Sequence, residues 1–152
     1  MVLVGGLGTR LAVELRGLPK PMVEIGDRPF LEHLLLHLRE FGICTITLAV
    51  SYCREVIEER FRDGKVLGMS IKYSRETQRL GTAGALRNAL PMLRSDEILV
   101  LNGDSFADVN YNELLRLHAA RGQKLTLATV HMPDCRDFGR LLISEGDRKS
   151  VV

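Results

Sequence analysis

Short apolar runs alternate with segments of helical period over the first 130 residues, and that alternation limits the fold more than any other feature. Runs at 1–4 (MVLV), 43–50 (ICTITLAV), 70–73, 97–101 (EILVL) and 124–131 (KLTLATVH) read as strands. Between them, residues 30–41 place Leu31, Leu34, Leu35, Leu38 and Phe41 on one helical face, with Gly42 as the stop. Residues 55–61, 82–93 and 110–121 read as further helices, the second with Thr82 near its N-cap. Strands that alternate with helices build βαβ units and a mostly parallel sheet covered on both faces. In such α/β sheets ligands bind beyond the carboxyl ends of the strands.

Chemistry-bearing segments follow these strands. The first is Gly5-Gly6-Leu7-Gly8-Thr9-Arg10, directly behind the run at 1–4. Glycines let the backbone approach a ligand closely, and consecutive N–H groups can converge on an anion. Arg10 adds a planar donor fork suited to phosphate oxygens. The dinucleotide fingerprint fails here because its third glycine is Leu11, and no Gly-Lys-Ser/Thr completes a P-loop. Alone, the cluster reads either as a phosphate loop or as a tight turn with no ligand.

Downstream, Leu18-Pro19-Lys20-Pro21-Met22 brackets a lysine between two prolines, which keep the backbone out of a helix. The segment either aims Lys20 at one place or leaves it solvated in a loop. Residues 76–84 (ETQRLGTAG) precede a helix; Gly81 and Gly84 would admit a flat base, and Glu76 could accept from the N1–H and 2-amino group of guanine. Leu101-Asn102-Gly103-Asp104 ends a strand with a carboxylate, placed either for Mg²⁺ or simply in a turn. Residues 136–140 (RDFGR) include an aromatic-glycine step that could meet a sugar or serve only as a turn.

Composition narrows the class. The 152 residues are 45% hydrophobic and 26% charged with net charge +2, which suits one soluble domain and argues against a nucleic-acid or polybasic membrane surface. No apolar run reaches the roughly 20 residues of a membrane span, and no secretory signal pattern opens the chain. Three scattered cysteines (Cys44, Cys53, Cys135) argue against a disulfide framework and fit a reducing cytoplasm. His33 and His37 are four apart but lack the glutamate of a metalloprotease motif, so they read as a solvated helix face.

Taken together, Gly5 to Arg10, Pro19-Lys20-Pro21-Met22, Leu80-Gly81-Thr82-Ala83-Gly84-Ala85-Leu86, Leu101-Asn102-Gly103-Asp104 and Phe138-Gly139 give the chain its likeness. In order and spacing it resembles the sugar-1-phosphate nucleotidyltransferases, also called nucleotide-diphospho-sugar pyrophosphorylases. The pattern is most like the D-glycero-D-manno-heptose 1-phosphate guanylyltransferase branch, with mannose-1-phosphate guanylyltransferases close behind. The resemblance implies a Rossmann-like three-layer sandwich with a mostly parallel mixed sheet, and one nucleotidyltransferase domain over 1–152. It implies transfer of GMP to a heptose or mannose 1-phosphate with release of pyrophosphate. Thymidylyl or cytidylyl transfer, or a non-catalytic nucleotide-binding module, are the alternatives.

The implied roles fall residue by residue. Gly5, Gly6, Leu7, Gly8, Thr9 and Arg10 would hold the triphosphate, joined by Lys20. Glu76, Gly81 and Thr82 would meet the nucleotide, Asn102, Phe138 and Gly139 the sugar, and Asp104 would ligate Mg²⁺. Arg10, Lys20 and Asp104 would carry the catalysis. Ala12 stands where the family often has arginine, and Arg79 where the branch usually has proline. The family's Glu-Lys-Pro segment and its second acidic metal ligand do not occur before Val152. The expectation is therefore a C-terminally truncated chain that keeps the nucleotide half of the site. Apolar sheet surface left open in such a chain would promote self-association.

Overall fold

Four parallel strands, in the order β5-β4-β1-β6, form the sheet that positions everything else. They are β1 (Val2–Leu3), β4 (Thr45–Val50), β5 (Ser70–Arg75) and β6 (Leu101–Asn102), and a two-stranded antiparallel hairpin, β2 (Glu24–Ile25) with β3 (Arg28–Pro29), lies apart from them. The structure is a computed structural model that describes residues 1–6, 18–78 and 80–131. The helices are α1 (Phe30–Glu40), α2 (Arg54–Phe61), α3 (Gly81–Ala89) and α4 (Tyr111–Arg121). Short 3₁₀ turns occupy Lys20–Met22, Lys65–Leu67 and Leu90–Met92.

The registers explain the burial. β4 pairs with β1 through Val2↔Leu48 and Leu3↔Ala49 and with β5 along its whole length, from Thr45↔Ser70 to Val50↔Arg75. Side chains alternate between the two faces of a strand. On β4, Ile46, Leu48 and Val50 are buried on one face and Thr47 and Ala49 on the other. Burial on both faces is what a parallel sheet between two helical layers requires. One layer is α3, whose Ala85 and Ala89 pack with Met1 and Ala49, flanked by Leu3, Leu86 and Leu93. On α1, Leu31, Leu34, Leu35 and Leu38 form a fully buried stripe, as the helical period anticipates.

The chain divides into two compact units, Met1–Phe106 and Ala107–Val152. In the second, Asn110 caps α4 by accepting from the Glu113 N–H at 3.0 Å, and Gly122 closes the helix in the left-handed region. His118 Nδ1 lies 2.8 Å from Thr126 Oγ1, tying the segment after α4 back to the helix.

The helix read at 82–93 begins at Gly81, beside the expected N-cap at Thr82, and its α-helical part ends at Ala89, with the 3₁₀ turn Leu90–Met92 following. Two expectations need correction. The strand expected at 97–101 is confined to Leu101–Asn102. Its partner β1 has only two ladder residues, so pairing starts with the Leu101 N–H on the Met1 carbonyl and ends with Gly103 on that of Leu3. The strand expected at 124–131 is not formed among the described residues. Leu125, Leu127 and Val130 there are exposed, so that stretch lacks the covered face that would hold an apolar strand in a sheet. Among the described residues, no helix is long and apolar enough to cross a membrane.

Candidate functional site

Counting only the strands of the parallel sheet, the order is third-second-first-fourth, so the chain reverses direction across the sheet at β1. Such a reversal splays the connections apart and opens a crevice at the strands' carboxyl ends. A cleft of about 350 Å³ lies there. β1 supplies Leu3 and the residues after it, Val4, Gly5 and Gly6; Ala49 comes from β4, Glu76 follows β5, and Asn102 and Asp104 come from β6 and the turn beyond it. Leu80, Gly81 and Thr82 at the start of α3, Ala85 within it, and Lys20 with Pro21 complete the lining.

The backbones that carry Lys20, Glu76 and Asp104 are each held by a local device. Lys20 opens a 3₁₀ turn between Pro19 and Pro21, closed by the Met22 N–H on the Pro19 carbonyl (2.8 Å) and the Val23 N–H on the Lys20 carbonyl (3.1 Å). Glu76 continues the β4–β5 ladder, its N–H donating to the Val50 carbonyl at 2.9 Å. Asn88 of α3 steadies the strand just before it, donating to Ser74 Oγ at 3.0 Å and to the Arg75 carbonyl at 3.2 Å. Arg75 in turn grips Glu58 of α2 with two bonds of 2.8 Å. That guanidinium holds the Glu58 carboxyl below its usual range.

Asp104 follows Gly103, whose N–H donates to the Leu3 carbonyl at 2.8 Å. A Cβ on Gly103 would collide with the Val4 side chain, so this turn accepts only glycine without rearrangement. Asp104 Oδ1 accepts from Ser105 Oγ at 3.2 Å, and Oδ2 lies 3.9 Å from Lys20 Nζ. Gly5 sits at a narrow point, where a Cβ would come within 3.1 Å of Ser51 Cβ and 3.8 Å of Glu76 Oε2. The first turn of α3 has no side-chain cap. Its leading N–H groups, with the positive end of the helix dipole, therefore lie beside the cleft where Gly81 and Thr82 line it.

Of the residues singled out from sequence, Gly5, Gly6, Lys20, Glu76, Gly81, Thr82, Asn102 and Asp104 meet in this one cleft. Leu7, Gly8, Thr9, Arg10, Phe138 and Gly139 lie outside the described residues. The sequence reading passed over Ala49, whose small side chain leaves the cleft its depth, and Ser51 beside Gly5; Ala85 it quoted within the motif at 80–86 without giving it a role. For Ala49 a signal existed: it stands next to last in an apolar strand, at the carboxyl end where α/β ligands bind. His33 and His37 take no part in the cleft; His33 Nε2 lies 2.9 Å from the Ile25 carbonyl and His37 packs against the rings of Phe41 and Phe106. Among the described residues, no cluster of three or more His, Cys, Asp or Glu is arranged to hold a metal.

A parallel sheet with its cleft at the strand-order reversal, bordered by Gly5 and Gly6 after β1 and by an uncapped helix start, defines the Rossmann-like class of α/β folds. Residues 1–151 match the family model described as nucleotidyl transferase, and the chain belongs to that family. It is 43% identical over 147 residues to the D-glycero-alpha-D-manno-heptose 1-phosphate guanylyltransferase of Campylobacter jejuni, covering 97% of this chain and 64% of that protein. Against the mannose-1-phosphate guanylyltransferase of Mycobacterium tuberculosis the identity is 40%, covering 97% of this chain and 41% of the relative. The crystal structure of HddC from Yersinia pseudotuberculosis, also solved in complex with GMP-PN, superposes with a TM-score of 0.70 at 32% identity, covering 77% of this chain and 52% of that one. The chain thus spans under two thirds of the length of these relatives.

Proposed function

We propose that the protein takes part in transfer of a nucleotidyl group, GMP by preference, from a nucleoside triphosphate to a sugar 1-phosphate of heptose or mannose type. The products would be pyrophosphate and an NDP-sugar. The observation that carries this reading is the meeting of Gly5, Gly6, Lys20, Glu76, Gly81, Thr82, Asn102 and Asp104, drawn from across a hundred residues of chain, in one cleft at the strand-order reversal. The names of its relatives, heptose and mannose 1-phosphate guanylyltransferases, point the same way. In this reading the NDP-sugar would serve as a lipopolysaccharide or capsule precursor made in the cytoplasm.

In the proposed reaction an oxygen of the sugar 1-phosphate attacks the α-phosphorus in line. A new P–O bond forms as the α–β bridging P–O bond breaks, and its electron pair leaves with pyrophosphate. The attacking phosphate is already ionised, so no general base is needed. The barrier is repulsion between anions, which positioning and charge neutralisation lower. Arg10, Lys20 and the N–H groups of the glycine turn would neutralise the phosphates. Glu76 would accept from guanine N1–H and the 2-amino group, a pairing that adenine, with an acceptor at N1 and no 2-amino group, does not offer. Asn102, Phe138 and Gly139 would face the sugar.

The donor set also suits Mg²⁺. This hard cation takes one or two carboxylates and completes its shell with substrate phosphates and water. Asp104 is such a single carboxylate beside Lys20 at the strand ends. Bound there with a triphosphate, the ion would supply charge neutralisation on the phosphate oxygens.

A panel of four nucleoside triphosphates against heptose, mannose and glucose 1-phosphates, followed by pyrophosphate release, tests the proposal. Release with GTP and a heptose or mannose phosphate is the expected result. Turnover only with thymidine or cytidine triphosphate would replace the base assignment. Binding of GTP without release in any pairing would make this chain a nucleotide-binding module.

A further inference from the structure

The Lys20–Asp104 pair joins two groups that the proposed function sends to opposite partners, the lysine to phosphate and the carboxylate to metal. Their backbones are fixed, one by the proline-bracketed turn and the other by Gly103 packed against β1. Only the side chains can change partner. Asp104 Oδ1 already accepts from Ser105 Oγ, so the oxygen facing Lys20 Nζ at 3.9 Å is the one with a cation beside it. The pair is long, and its side chains are 31% and 41% exposed, so solvent screens it and little is lost when it opens.

We propose that Lys20 stands in for the divalent cation on Asp104 in the nucleotide-free protein and passes to phosphate when a metal–triphosphate binds. This rests on the reading of Asp104 as the metal ligand. An ammonium and a divalent cation repel each other and compete for one carboxylate oxygen. Lys20 therefore opposes metal binding to the protein alone. A triphosphate gives the lysine a more highly charged anion, frees Asp104, and turns the same side chain into a support for the metal–nucleotide. The effect of Lys20 on metal affinity thus changes sign when nucleotide is present, and the carboxylate is kept from recruiting a bare cation that would have to be cleared before substrate enters.

The test measures Mn²⁺ binding to the full chain from the electron paramagnetic resonance signal of the free ion, and binding of preformed Mn²⁺–GTP by titration calorimetry. Removing one exposed ion-pair partner predicts that Lys20→Met binds Mn²⁺ alone about two- to fivefold more tightly than the parent. The same variant binds Mn²⁺–GTP more weakly, and Lys20→Arg, which keeps the positive charge, retains the parent affinity for Mn²⁺ alone. Lys20→Gln serves as a second neutral variant should Lys20→Met fold poorly. Unchanged or weaker binding of Mn²⁺ alone in the neutral variants overturns the stand-in role and leaves the metal-site reading intact. If Asp104→Asn leaves the affinities for Mn²⁺ alone and for Mn²⁺–GTP both unchanged, the metal-site reading falls, and this proposal with it.

Discussion

Gly103 occupies a point at which β1 and the turn after β6 leave no volume for a side chain. The Gly103→Ala methyl would overlap Val4 and press on the Leu3 carbonyl, which Gly103 itself needs as a hydrogen-bond acceptor. Overpacking at such a site typically costs about 1–3 kcal/mol, so the urea midpoint of Gly103→Ala should fall accordingly. A midpoint equal to the parent's would mean that the turn has room to move, and that Asp104 is less firmly placed than the hydrogen bond suggests. Lys20 is the opposite case. Its side chain is about a third exposed, and its ion-pair partner among the described residues, Asp104, is screened. Lys20→Ala should therefore leave the urea midpoint near the parent's while lowering the rate of pyrophosphate release about a hundred- to a thousandfold, as loss of one charge-stabilising donor does. Arg10→Ala is expected to lower the rate by the same order. Near-parent turnover in either variant removes these residues from the catalytic assignment. Turn chemistry made Gly81 and Gly103 legible as glycines with a purpose, but which atom each must avoid is a matter of packing.

At the scale of elements, α2, β5 and α3 form a clamp behind Glu76. Asn88 holds the end of β5 from one helix, and Glu58 holds Arg75 from the other. The Arg75 guanidinium depresses the Glu58 carboxyl from its ordinary value of 4.5. A depressed carboxyl stabilises the fold above its unfolded-state value, and that contribution fades as pH falls through the lower, folded-state value. The difference in urea midpoint between the parent and Glu58→Gln should thus be present near neutral pH and vanish in acid below the usual carboxylate range. A difference that persists unchanged in acid would locate the effect of Glu58 in packing instead of charge. The helical period alone identified α1, α2 and α4 to within a residue or two, since a buried stripe at i, i+3, i+4 leaves a strong local trace. Strand ends were less legible. Ile98 and Val100 are as apolar as β6 itself, yet both are partly exposed, because pairing depends on the two ladder residues that β1 offers.

For the molecule as a whole, a ligand that binds only the folded chain raises its stability by mass action, by about 2.7 kcal/mol at a hundred times Kd. The cleft draws on the residues after β1, on β4, on the ends of β5 and β6 and on the start of α3, so nucleotide bound there ties together most of the sheet. GTP with Mg²⁺ should raise the melting temperature, with ATP giving a smaller shift if Glu76 reads the base. Equal shifts with all four nucleotides would remove base selection from Glu76. The alternation of strand and helix, the parallel sheet and the residue types able to handle phosphate, base and metal were all readable along the chain. Those properties follow from local periodicity and side-chain chemistry. That Gly5, Lys20, Glu76, Gly81 and Asp104 share one cleft, and that Lys20 lies beside Asp104, could not be read locally. Both depend on strand order, which is set by long-range pairing of β1 with β4 on one side and β6 on the other. The same long-range pairing decides where an apolar run becomes a strand and where, as at Leu125 and Leu127, it stays exposed.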